Sequence, residues 1–178
     1  MKLHIGCGKR NLPGWKHFDI RKIDAHIDFV GKADDLSQFA DDSIEEIYAC
    51  HLLEHFGRHE VDKVLVEWNR VLVKSGVIHI AVPDFEAVME YYSEEHNLQK
   101  ILGFLYGGQD YAYNYHYMAF DYKYLKERLE AAGFEKIERY EWRDFLPEGY
   151  DDYSRSYQPH MDFEHGKLMS LNVAAMKK

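Results

Sequence analysis

Two clusters near the N-terminus combine the residue types that bind a nucleoside. Gly6-Cys7-Gly8 directly follows a short apolar run, Leu3-His4-Ile5. A glycine turn at a strand end lets a ligand approach the backbone, because no Cβ stands in the way. Asp19 ends the next apolar run, where a carboxylate can accept hydrogen bonds from both hydroxyls of a ribose. Asp34 and Asp35 follow the third run and are candidates to bind an adenine amino group.

The same turn disfavours a dinucleotide. A pyrophosphate-binding fingerprint needs a third glycine where Asn11 stands, and Gly14 comes too late to supply it. A nucleoside without phosphates is therefore favoured, and an NAD-type reductase is disfavoured. The competing interpretation is that the acids in these turns are ordinary loop residues or helix caps.

A second cluster, His51-Leu52-Leu53-Glu54-His55, matches the H-x-x-E-H pattern of some zinc peptidases. Two histidines four residues apart on one helix can share a metal, and the glutamate can activate water. Against a metallopeptidase, His51 directly follows a predicted strand, and no third ligand is identifiable from its spacing. The sequence therefore predicts no metal site. His51 and His55 also suit a helix start, where Glu54 would have a structural role.

Alternating tyrosines form an unusual segment in the second half of the chain. Tyr111, Tyr113, Tyr115 and Tyr117 are separated by single residues, which fits a strand with one aromatic face. The preceding glycines at 107 and 108 favour instead a loop over the carboxyl edge of the sheet that shapes an acceptor pocket. A tyrosine-rich core or a dimer contact is an equally weighted alternative.

The elements that position these residues alternate between short strands and helices. The predicted strands are Leu3–Ile5, Lys16–Ile20, His26–Val30, Ile44–Cys50, Val77–Val82, Phe134–Tyr140 and Leu168–Met176. An apolar stripe from Val61 to Leu72 predicts a helix, with Gly76 as its stop. Strand, helix and strand in this order predict parallel pairing with a right-handed crossover. Asp84 and Asp121 are each expected to cap a further helix.

Composition limits the classes of function. The chain has 178 residues with 46% hydrophobic and 30% charged, which predicts one domain spanning residues 1–178. The net charge of −9 argues against a nucleic-acid partner. No apolar run is long enough to span a membrane, and the N-terminus is too short and glycine-broken for a signal peptide. Two cysteines suit a reducing cytoplasm better than a disulfide scaffold.

Taken in order, the motifs resemble a class I S-adenosylmethionine-dependent methyltransferase. The resemblance is closest to small predicted methyltransferases associated with bacterial surface-glycan biosynthesis. The motifs are Leu3-His4-Ile5-Gly6-Cys7-Gly8, Leu12-Pro13-Gly14-Trp15, His17-Phe18-Asp19-Ile20, Asp42–Ala49, His51–His55, Glu67–Gly76, Val82–Phe85, Tyr106–Gln109 and Ala131–Phe134.

This resemblance implies an α/β fold: a Rossmann-like three-layer α/β/α sandwich with a seven-stranded, mostly parallel sheet whose last strand is antiparallel. It implies S-adenosylmethionine as cofactor. Gly6, Cys7 and Gly8 would face its methionine part, Asp19 would bind the ribose with Ile20 beside it, and Ala33 and Asp34 would lie near the adenine. His51 would stand beside the reacting centre. These implied cofactor-binding positions are Gly6, Cys7, Gly8, Asp19, Ile20, Ala33, Asp34 and His51.

The implied reaction moves a methyl group to a small-molecule or glycan acceptor. His51 is the first candidate base because histidine titrates near neutrality, His116 in the tyrosine segment is the second, and Asp84 is the third. A non-catalytic nucleoside-binding protein is the remaining alternative. The acceptor, the use of a base and the oligomeric state are left open by the sequence.

Overall fold

A seven-stranded sheet forms the centre of the protein, and the computed structural model describes residues 1–178. Its strands are β1 (Lys2–Ile5), β2 (Lys16–Asp19), β3 (Phe29–Val30), β4 (Ile44–Cys50), β5 (Leu72–Pro83), β6 (Phe134–Arg139) and β9 (Ser170–Lys177). A separate pair, β7 (Tyr157–Gln158) and β8 (Lys167–Leu168), is antiparallel. The strand order is β3-β2-β1-β4-β5-β9-β6, and β9 is antiparallel to both of its neighbours. The predicted mostly parallel sheet with an antiparallel last strand is confirmed.

Helices α1 (Val61–Val71) and α4 (Tyr122–Ala131) pack on one face of this sheet. The other helices are α2 (Phe85–Glu95), α3 (Leu102–Tyr106) and α5 (Trp142–Phe145). The apolar stripe of α1 and two leucines of α4, Leu125 and Leu129, join the main core with alternate residues of the strands. The buried Trp68 also donates its indole N–H to the Ala33 carbonyl at 2.8 Å, so α1 fixes the loop after β3. None of these helices has the length and hydropathy that crossing a membrane requires.

The opposite face carries the short helix α5, and no helix connects β1 to β2 or β2 to β3. Most of the cover on this face comes from aromatic and histidine side chains that pack against one another. Tyr48 packs 4.9 Å from His4 and 4.9 Å from Phe145, measured between ring centroids. His79 stacks on the same Phe145 at 4.1 Å. Part of the large aromatic content therefore lies in this thin third layer.

The buried His4 makes stability sensitive to acid. It is 1% exposed, its Nδ1 has no hydrogen-bond partner, and burial with the nearby His17, Arg10 and His26 lowers the pKa of His4 to about 3. An unfolded histidine titrates near 6.5, so the unfolded state takes up the proton first as the pH falls. This histidine therefore costs no stability above about pH 6.5 and about 2 kcal/mol at pH 5.

The wild type is expected to lose unfolding free energy between pH 7 and pH 5, and we expect His4→Phe to reduce this loss by about 2 kcal/mol. Urea unfolding of both proteins at the two pH values measures the difference. Equal losses in wild type and variant would contradict the assignment of acid sensitivity to His4.

Two predicted features of α1 and β3 differ from the structure. The helix ends at Val71 and the chain enters β5 at once, so Gly76 is not its stop. The last carbonyls are satisfied by tertiary contacts: the Asp42 and Ser43 amides donate to Arg70 and Val71, and Lys177 Nζ lies 2.7 Å from the Leu72 oxygen. The predicted third strand also shrinks to its last two residues, Phe29–Val30.

The two predicted helix caps are confirmed. The Asp84 carboxylate accepts from the Glu86 and Ala87 amides at the start of α2. The Asp121 carboxylate accepts from the Tyr124 amide at the start of α4.

Candidate functional site

Two adjoining clefts open at the carboxyl ends of β1, β2 and β4. The small cleft has a volume of about 440 Å³ and the large cleft about 900 Å³. The residues that line both are Gly6, Gly8, Arg21, His51, His55 and Tyr111. A molecule in one cleft is therefore separated from a molecule in the other only by these few residues.

The glycine turn after β1 leaves the boundary between the clefts open. Gly6 and Gly8 have φ values of 66° and 57°, a region that favours glycine. A Cβ on Gly6 would lie 2.8 Å from the Leu52 side chain, whereas one on Gly8 would meet no atom within 4 Å. Gly6 is therefore required by packing, and Gly8 exposes backbone to the clefts.

Asp19 is held rigidly at the edge of the small cleft. Its side chain accepts hydrogen bonds from the Gly8 amide at 2.9 Å and from the Arg21 amide at 3.0 Å, one on each oxygen. A carboxylate offers about four acceptor positions, so each oxygen keeps one free. Because Asp19 is only 6% exposed, the free positions are fixed in direction and suit a pair of neighbouring hydroxyls.

The small cleft brings together nearly all of the predicted cofactor-binding residues. Those that line it are Gly6, Gly8, Asp19, Ile20, Ala33, Asp34 and His51. Cys7 lines the large cleft instead. Burial and the neighbouring Asp19 raise the pKa of Cys7 to about 12, so it remains a thiol at neutral pH. Cys7 and Cys50 are both free.

His51 lies where β4 ends, with a left-handed backbone at φ 48°. Its Nε2 is 3.2 Å from the Ser170 hydroxyl, and its Nδ1 is 3.3 Å from Glu54 Oε1 without the alignment of a hydrogen bond. Burial, together with His116 and His55, lowers the pKa of His51 to about 3. The ring is therefore neutral at pH 7, and titration near neutrality, the reason for choosing it from the sequence, does not hold.

Glu54 lies behind the clefts, beside His51 and His116, and the sequence offered it a role only in the peptidase pattern or at a helix start. Its carboxyl is fully buried, neither oxygen has a hydrogen-bond partner, and burial raises the pKa of Glu54 to about 8. It lies in a single 3₁₀ turn, Leu53–His55, and caps no helix, so the expected role at a helix N-terminus is wrong. His51 precedes this turn, so His51 and His55 do not share a helix as the peptidase pattern requires.

Of the two other candidate bases, His116 lies next to Glu54, whereas Asp84 lies outside both clefts. His116 Nε2 is 3.9 Å from Glu54 Oε1, and the ring lines the large cleft. Asp84 lines neither cleft. One of its oxygens accepts from the N-terminus of α2 and the other lies 3.1 Å from Arg139. Neither oxygen is therefore free to take a proton from an acceptor in the clefts.

The tyrosine segment is irregular loop and not a strand. Tyr111, Tyr113, Tyr115 and Tyr117 are 38–64% exposed, so the tyrosine-rich core is wrong for this segment. All four line the small cleft, on the side of the predicted cofactor residues. The loop is fixed to the 3₁₀ turn because the Tyr117 amide donates to the Glu54 carbonyl at 2.8 Å.

The wall of the large cleft comes from a segment whose place the sequence did not reveal. Residues 151–161 contribute Asp151, Tyr153 and Arg155, and Arg10 reaches them from the glycine turn. Arg10 donates to the Asp151 carbonyl at 3.0 Å and its guanidinium lies 4.6 Å from the Tyr153 ring. The only sequence signal was the polar and aromatic composition of a long loop.

Comparison with known proteins agrees with this geometry. Residues 16–80 match the family model described as "Methyltransferase domain". A solved S-adenosylmethionine-dependent methyltransferase of Thermotoga maritima is 18% identical with a TM-score of 0.61, covering 99% of this chain and 82% of that one. One of Methanosarcina mazei is 18% identical with a TM-score of 0.59, covering 99% and 91%. One of Archaeoglobus fulgidus is 15% identical with a TM-score of 0.59, covering 99% and 85%. No curated protein matches the sequence.

The structural neighbours show the fold, and the family model matches the segment from β2 into β5. The family model therefore supports a methyltransferase domain over residues 16–80.

Proposed function

We propose that the protein transfers a methyl group from S-adenosylmethionine in the small cleft to a polar small molecule or glycan in the large cleft. The observation that carries this proposal is the meeting of the two clefts. The predicted cofactor residues line one side, a polar wall lines the other, and the residues that line both are Gly6, Gly8, Arg21, His51, His55 and Tyr111.

The residues of the small cleft fit an adenosyl ligand. Asp19 has one free acceptor position on each oxygen for the two ribose hydroxyls. Ala33 and Asp34 line the cleft beyond it, in a position for the adenine. Gly8 leaves open space beside the turn for the methionine part. Exposed tyrosine faces on the same side suit a sulfonium cation.

S-adenosylmethionine supplies a methyl group on a sulfonium sulfur, which is already activated for displacement by a nucleophile. The protein therefore has mainly to align the acceptor and exclude water, and alignment alone can contribute several kcal/mol. His51 lines both clefts and is a neutral ring at pH 7, with its Nε2 beside the Ser170 hydroxyl and its Nδ1 beside Glu54. We assign it the contact with the acceptor.

The large cleft favours a polar acceptor. Arg10, Arg155 and Asp151 provide both donors and acceptors, and Tyr153 offers an aromatic face. This combination suits a sugar, which binds through hydroxyl groups and stacks its apolar face on a ring. The glycan class itself rests on the resemblance of the sequence. Two free cysteines suit a reducing compartment, and the cytoplasm is the location we propose.

Transfer from labelled donor tests the proposal. We expect methyl-labelled S-adenosylmethionine to transfer label to a sugar, nucleotide sugar or other polar metabolite from a panel, with one S-adenosylhomocysteine formed for each methyl moved. Heat-inactivated protein is the control. Binding of S-adenosylhomocysteine without transfer to any acceptor in the panel would favour the non-catalytic nucleoside-binding protein instead.

A further inference from the structure

Three side chains meet beside the large cleft in a way that the methyl transfer does not explain. Glu54, His55 and His116 each bring one potential ligand atom into a group whose members all lie within 4.8 Å of one another. The Glu54 side chain is 0% exposed and that of His116 is 8% exposed. The three residues come from two segments far apart in the sequence, the turn after β4 and the tyrosine loop.

The Glu54 carboxyl has no partner in the protein. Neither Oε1 nor Oε2 accepts a hydrogen bond, although both are buried. Burying a polar group without a partner costs free energy, so folded proteins leave few such groups and those that occur point to a water or an ion. Two ring nitrogens lie near Oε1, His51 Nδ1 at 3.3 Å and His116 Nε2 at 3.9 Å.

Backbone contacts orient the two histidine rings of this cluster. His55 Nδ1 lies 2.9 Å from the Tyr115 carbonyl, and His116 Nδ1 lies 2.9 Å from the Phe104 carbonyl. A carbonyl only accepts, so each Nδ1 carries the hydrogen and each Nε2 keeps its lone pair. Histidines that bind metals show this arrangement, in which the second nitrogen donates to a carbonyl or carboxylate.

We propose that Glu54, His55 and His116 bind one divalent transition-metal ion, with Zn²⁺ the best match to their chemistry. Two imidazoles and one carboxylate form a ligand set that Zn²⁺ uses when a coordination position is left for water or substrate. Metal bonds of about 2.0–2.2 Å require the ligand atoms to approach to about 3.4 Å of one another. The three ligand atoms now lie within 4.8 Å of one another, so metal binding would draw them closer together.

The open position faces the large cleft, which both His55 and His116 line. This consequence rests on the proposed function: an acceptor hydroxyl bound there would release its proton more readily. The site differs from the H-x-x-E-H pattern because its third ligand is His116 and not His51. His51 stays beside Glu54 as a neighbour.

Zinc titration of the whole protein, freed of metal by chelation and carrying no affinity tag, tests the site. We expect calorimetry to show one Zn²⁺ per chain, and Co²⁺ to give the visible absorption of a four- or five-coordinate site. Glu54→Gln and His116→Ala are each expected to weaken Zn²⁺ binding at least about 100-fold. His165→Ala removes a histidine that is 83% exposed and is expected to bind Zn²⁺ as the wild type does.

Absence of Zn²⁺ binding by the wild type would overturn the proposal, as would unchanged binding by both Glu54→Gln and His116→Ala. Circular dichroism checks that each variant is folded, and the nearly isosteric Glu54→Gln guards against misfolding of the alanine variant. S-adenosylhomocysteine binding is measured on the metal-free wild type in parallel. Its loss would contradict the proposed function, whereas its presence without Zn²⁺ binding would contradict the metal site alone.

Discussion

Asp19→Asn is expected to weaken S-adenosylhomocysteine binding about 100-fold, equivalent to about 2.7 kcal/mol. Hydrogen bonds to a charged group contribute about 1.5–3 kcal/mol each, and Asp19 has one free position on each oxygen for a hydroxyl. An amide at this position keeps only one oxygen. Its NH₂ group would face the amide N–H of Gly8 or Arg21, two donors that now bind the carboxylate. Isothermal titration calorimetry measures the change.

Asp24→Asn is a matched control for this substitution. Asp24 follows β2 in the connection to β3, its side chain is 53% exposed, and it lines neither cleft. Asp24→Asn should leave the affinity for S-adenosylhomocysteine within about twofold of the wild-type value, because water strongly screens exposed charges. Equal affinity of the wild type and Asp19→Asn would remove this carboxylate from the ribose site.

His51→Ala is expected to keep S-adenosylhomocysteine binding and to lower the rate of methyl transfer about 10²-fold, because the acceptor loses a contact that aligns it with the methyl group. The left-handed backbone of His51, with φ 48°, makes His51→Asn the better variant, since asparagine tolerates this conformation. Both variants should show the same loss. The measurement is single-turnover transfer with the acceptor found in the panel.

His96→Asn is the matched control, because His96 has the same φ of 48°, is exposed after α2 and lines neither cleft. It should transfer methyl groups at the wild-type rate. If His51→Asn turns over as fast as His96→Asn, His51 has no part in the chemistry. If it loses cofactor affinity instead of rate, His51 belongs to the binding site only.

Local signals explain why the cofactor side was predictable. Gly6 and Gly8 adopt positive φ values directly after a strand, and Asp19 ends the next strand, so spacing along the chain was enough to place them at one edge of a parallel sheet. The caps at Asp84 and Asp121 are equally local, since each binds amides two or three residues ahead.

Long-range contacts explain what the sequence did not reveal. Glu54 and His116 meet only because the tyrosine loop folds over the turn after β4. The end of α1 is set by contacts with residues 42, 43 and 177, and the glycine nearest in sequence has no part in it. The wall formed by residues 151–161 has no period or cap that would have placed it beside Arg10.

Calorimetric titration of the wild-type protein with S-adenosylhomocysteine tests the central claim most directly, that the small cleft between Asp19 and the tyrosine loop holds an adenosyl group. We expect saturable heat corresponding to one molecule per chain. If the protein is folded and millimolar S-adenosylhomocysteine produces no measurable heat, the claim is contradicted.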